Sequence, residues 1–96
     1  MNTEKIKEIL VITQEEAAEV IQVISKMQRF GIGAVYLREG ENTTNIDALH
    51  KEVGDLLCMI DLLQSHGLLN KDILDVAKAA KTEKLKRWST IFDKDD

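Results

Sequence analysis

The chain has 96 residues, 44% of them hydrophobic and 31% charged, and a net charge of −4. That length makes one domain, residues 1–96, with a small core, and the acidic balance excludes a general nucleic-acid coat protein, so no nucleic-acid polymer is expected as a partner. A single cysteine, Cys58, excludes an internal disulfide framework; no apolar run reaches the roughly 18 residues of a membrane span, and the opening Met-Asn-Thr-Glu-Lys is not a signal peptide, so a cytoplasmic location away from membranes is expected.

Proline is absent, which permits long helices. From about Thr3 to Phe30, Ile6, Ile9, Leu10, Ala17, Val20, Ile21, Ile24 and Met27 keep one helical phase. Thr13 and Glu16 mimic a capping box, but the unbroken phase predicts one helix rather than two. Gly31 and Gly33 end it. The patch Ile32 to Leu37 reads as one or two helical turns, and residues 38–45 as a mobile polar loop. Thr44 with Asp47 is a capping signal for a second helix, about 46–65, that stops near Gly67. A third helix begins after Asn70 and runs to about 90, ahead of an acidic tail that should fray.

Acids interrupt two of these stripes in the same way. At about 100° per residue, Ile9, Ile12, Val20, Val23 and Met27 fall within about 40° of Glu16, with Glu19 about 60° to one side. Around Glu52 the same holds for Ala48, Leu56, Met59 and Leu63, with Asp55 about 60° to the same side. Two helices thus each aim one acid into their apolar stripe and one at its border. Burying such charges uncompensated costs several kcal/mol each, so a cation is expected among them. A donor set of carboxylates alone selects magnesium or manganese over zinc.

Leu57, Cys58 and Leu62 carry the second helix's apolar surface beyond its stripe. Three helices of one chain cannot enclose it, so a homo-oligomer completing a four-helix-type bundle is expected. On the third helix, Lys81 and Lys84 share a face with Ile73, Ala77 and Trp88. As snorkelling lysines they would pack their stems; beside four carboxylates they would hold phosphate oxygens that also bind the metal. Hydrolysis of a phosphoanhydride follows from such parts. Glu15, about 100° from Glu16, is placed to take a proton from the attacking water, or is a plain solvated acid. Arg29 and Trp88 are weaker substrate contacts, and Trp88, Tyr36 and the loop either pack the fold or help enclose a substrate. His50 and His66 are not expected to be ligands.

The run Glu15-Glu16-Ala17-Ala18-Glu19, followed by Glu52-Val53-Gly54-Asp55, resembles the EExxE…ExxD signature of MazG-like nucleoside triphosphate pyrophosphohydrolases, in the all-α NTP pyrophosphatase superfamily. The resemblance covers most of the chain. It implies magnesium-dependent cleavage (manganese as a substitute) of a nucleoside triphosphate, NTP or dNTP, to the monophosphate and pyrophosphate. By motif position, Glu16, Glu19, Glu52 and Asp55 would be metal ligands, Glu15 a water-activating or supporting acid, and Lys81 and Lys84 phosphate contacts. The implied fold is an all-α helical bundle assembled as a dimer or dimer of dimers. The 32 residues between Glu19 and Glu52 exceed the spacing of many members, and Lys78-Ala-Ala-Lys81-Thr-Glu-Lys84 lacks the asparagine many carry there. The alternatives are a catalytically inactive regulatory or interaction module of the same fold, a bundle whose acids merely pair with Lys81, Lys84 and Arg87, and a di-iron centre. The last is disfavoured because neither Glu16 nor Glu52 has a histidine three residues on.

Overall fold

A computed structural model describes residues 2–38 and 41–95, without the side chains of residues 36–38, 41 and 42. In order, the elements are α1 (Thr3–Phe30), β1 (Val35–Arg38), β2 (Glu41–Thr44), α2 (Asn45–Ser65) and α3 (Lys71–Trp88). The fold is all-α, with a small hairpin between the first two helices. No helix among the described residues is long and apolar enough to cross a membrane.

α1 is one helix, as its phase requires. Asn2 caps it, its side chain accepting from the Lys5 N–H. Thr13 is no cap: its hydroxyl donates back to the Ile9 carbonyl at 2.7 Å, inside the helix. Gly31 ends the helix at φ 108, where a Cβ would be strained. Thr44 caps α2, its Oγ1 accepting from the Asp47 N–H at 3.0 Å, an arrangement worth about 1 kcal/mol. Asn70 does the same for α3 through the Ile73 N–H.

The expected helical turns at 32–37 and the loop at 38–45 are corrected. Val35 to Arg38 pair antiparallel with Glu41 to Thr44, Val35 opposite Thr44 and Arg38 opposite Glu41. Val35 and Tyr36 on one strand and Thr43 and Thr44 on the other are β-formers, the local signal for strands here. Glu39 and Gly40 lie outside the described residues.

The hairpin turns the chain through half a circle, so α1 and α2 pack side by side in opposite directions. Asn45, only 2% exposed, locks the turn. Its side-chain amide donates to the Gly31 carbonyl at 2.9 Å and its backbone N–H to Ala34 at 2.9 Å. At the far end Ile9, Met59 and Leu63 form the core, with Ile12 and Leu69 against them. The residues flanking Glu16 and Glu52 in phase are therefore the buried face. Leu10 (46% exposed), Ile21 (68%) and Ile24 are not. They belong to the same broad stripe, but one partner helix covers only part of its width.

α3 departs from this pair. It buries no residue, and the molecule is a plate of 46 × 42 × 15 Å. Ile73, Val76 and Trp88 are all at least 70% exposed, while Ala77 and Lys81, on the face of Ile73 and Trp88, line an open groove beside α2. The physical reason lies in the sequence: α3 carries charges around most of its circumference, leaving little apolar area to hold it against α2.

Candidate metal centre

Midway along the α1–α2 interface the two acidic motifs meet. One carboxylate oxygen each from Glu16, Glu52 and Asp55 lie within 4.8 Å of one another. Glu16 comes from α1, Glu52 and Asp55 from α2. The antiparallel packing set by the hairpin and by the Ile9–Met59–Leu63 core brings them to the same level. Glu52 is buried at 8% exposure, while Glu16 and Asp55 are half-buried. The group thus opens to solvent on the Asp55 side and closes on the Glu52 side.

The electrostatics are strained. The carboxyl of Glu16 is held above its usual range, first by partial removal from water, then by the charges of Asp55 and Glu52; Lys51 opposes this and Glu19 adds to it. Lys51 is the cation of the site. Its ammonium donates to Asp55 Oδ2 at 3.0 Å and to Glu52 Oε1 at 3.4 Å, and these bonds raise its own pKa. One lysine therefore stands against the three acids of the group. Lys51 is not among the expected site residues, although a lysine four residues before Asp55 is a plain helical pairing signal.

The other expected site residues are distributed as follows. Glu19 is exposed and outside the three-oxygen group, yet near enough to act on Glu16. Glu15 is exposed, off the interface. Lys81 and Lys84 are exposed on α3, and neither is brought to the carboxylates within one chain. Lys81 instead lines an open groove between α2 and α3, with Leu57, Ile60, Gln64, Leu74 and Ala77. The expected pairing of the acids with Lys81, Lys84 and Arg87 is replaced by pairing with Lys51. Arg29 lies over the ring of Phe30, 5.0 Å from its centroid, and Trp88 is 82% exposed. His50 is spent on the Ile46 carbonyl at 2.9 Å. The side chain of Tyr36 lies outside the described residues.

Three carboxylates with no nitrogen or sulfur donor among them are a hard-oxygen set. Such a set suits a hard divalent cation rather than a soft one. Ligand oxygens adjacent on one small divalent cation sit about 3 Å apart, so the three oxygens, within 4.8 Å of one another, would have to draw closer to hold one. Compared with known proteins, the chain matches no family model, no curated protein and no solved structure.

Proposed function

We propose that the protein is a magnesium-dependent nucleoside triphosphate pyrophosphohydrolase, converting an NTP or dNTP and water to the monophosphate and pyrophosphate. The observation that carries this reading is the convergence of Glu16, Glu52 and Asp55 from two helices, partly shielded from water and under-compensated by Lys51. The resemblance of Glu15–Glu19 and Glu52–Asp55 to the MazG-like signature adds to it.

In this reading Glu16, Glu52 and Asp55 hold the divalent cation, with Glu19 able to join them from the next turn of α1. A bound magnesium offsets charge on the triphosphate and on departing pyrophosphate. Water attacks the α-phosphorus, the bond from that phosphorus to the bridging oxygen breaks, and pyrophosphate leaves with the electron pair. Glu15, the exposed acid next to Glu16 on α1, takes the proton of the attacking water. Lys51, its side chain largely in solvent, would have to leave Glu52 and Asp55 for a cation to be held there. Self-association, as a dimer or a dimer of dimers, covers the exposed apolar residues of α1 and α3. The test is pyrophosphate release from a panel of NTPs and dNTPs with magnesium. Release that needs the ion and is lost in Glu16→Gln and Asp55→Asn supports the reading; a panel without release refutes it.

One observation favours a second reading. Lys51 already bonds both Asp55 and Glu52, as it would in a helical scaffold whose acids serve only as an ion-pair network. Such a protein would show no change in Tm on titration with magnesium.

A further inference from the structure

We infer that α3 of one copy of this chain lies over the carboxylate mouth of a second copy, so that Lys81 and Lys84 meet the acids between subunits rather than within one. The first ground is geometric. Lys81 lines the α2–α3 groove with Leu57, Ile60 and Gln64. At about 100° per residue these lie about 140° to 180° round α2 from Asp55. The body of α2, roughly 10 Å across, stands between the lysine and the acids of its own chain.

The second ground is charge. Lys71 and Lys78 pair with Asp75, and Lys86 with Glu83, whereas Lys81, Lys84 and Arg87 have no acid within ion-pairing distance among the described residues. Glu15, Glu16 and Glu19 likewise have no cation within that distance. Lys81, Lys84 and Arg87 on α3 and Glu15, Glu16 and Glu19 on α1 thus lie apart within one chain, and Asp61, which lines the groove with Lys81, is not within pairing distance of it.

The third ground is apolar area. An 18-residue helix that buries nothing is marginal in water. Its Ile73 and Trp88, on the lysine face, are exposed. The mouth offers footing in Leu62, 37% exposed and about 20° from Asp55 round α2. Because both surfaces belong to the same chain, a two-fold pair satisfies both copies at once. Only the assignment of the lysines to substrate phosphate rests on the enzymatic reading; the contact between copies does not.

The test is a zero-length carbodiimide cross-link on the native protein, which joins a lysine amine to a carboxylate it touches. Monomer and covalent-dimer bands are separated under denaturing conditions and mapped by peptide mass spectrometry. The expected result is that peptides joining Lys81 or Lys84 to Glu15, Glu19 or Asp55 occur in the dimer band alone, and that Lys81→Ala/Lys84→Ala loses them. The same pairs in the monomer band, or their absence from both bands, overturns the inference. Contact is read whether or not triphosphates are hydrolysed, so this failure is separate from failure of the proposed activity.

Discussion

Lys51 reaches Asp55 along one turn of α2, ammonium to carboxylate at 3.0 Å, and in the same pose touches Glu52 at 3.4 Å. It is the nearest compensation the acidic group has inside the chain. Lys51→Met should therefore lower the Tm at pH 7 without added metal, because Glu52 is then buried beside two like charges. Magnesium should restore more of the Tm than it adds to the parent, since the ion no longer displaces a lysine. Calorimetry with and without the ion checks both statements; a Tm indifferent to the substitution would remove Lys51 from the site.

Glu16 sets a pH dependence of definite sign. Its folded pKa lies above the unfolded one, so its contribution favours folding at low pH and is lost as pH rises through the folded value. The groups facing it are Glu19 on α1 and Lys51, Glu52 and Asp55 on α2. Glu16→Gln should raise the Tm of metal-free protein at pH 7. The gain should fade as pH falls through the carboxylate range, where the parent is protonated too. A gain of constant size from pH 7 to pH 4 would contradict this origin.

If the acids bind magnesium, Glu52→Gln and Asp55→Asn should each weaken it about tenfold or more, measured by isothermal titration. Adding a non-hydrolysable triphosphate should tighten binding in the parent. Equal affinity in parent and variants would dismiss the ligand assignment.

Gly54 neighbours Asp55 inside α2, and a Cβ there would meet nothing within 4 Å. Nothing in one chain requires a glycine, so Gly54→Ala should stabilise by about 0.5–1 kcal/mol, or several degrees in Tm. Destabilisation instead would mean that another backbone or a ligand approaches α2 at that point.

Asn45 ties the end of α1 to the start of α2. Asn45→Ala removes the donor to the Gly31 carbonyl and should cost about 1–3 kcal/mol, read from urea unfolding. The loss should be smaller in Asn45→Asp only if the carboxyl is protonated, since an ionised oxygen cannot donate to that carbonyl.

Much of this fold was legible because helical period and caps are local. Ile6 to Met27 in one phase, Thr44 before Asp47 and Asn70 before α3 each act within a few residues of themselves. The hairpin was missed because Ile32 to Leu37 is too short a run to separate helix from strand by period. The placement of Glu16 and Glu52 in the buried stripes was also legible, since phase against neighbouring apolar residues fixes it; Asp55 and Glu19 shared the border position, and packing alone made the first half-buried and left the second exposed.

What the sequence determined by itself is which side of each helix every acid and lysine occupies. Which of those sides meet was decided only in three dimensions. The Asn45 lock and the Ile9–Met59–Leu63 core bring α1 and α2 into antiparallel contact and join three carboxylates. The charged circumference of α3 leaves it unpacked, on the other flank of α2, with its lysines turned away from the acids of its own chain. Periodicity reports a residue's angle about its own axis, whereas proximity between helices depends on how their axes are packed.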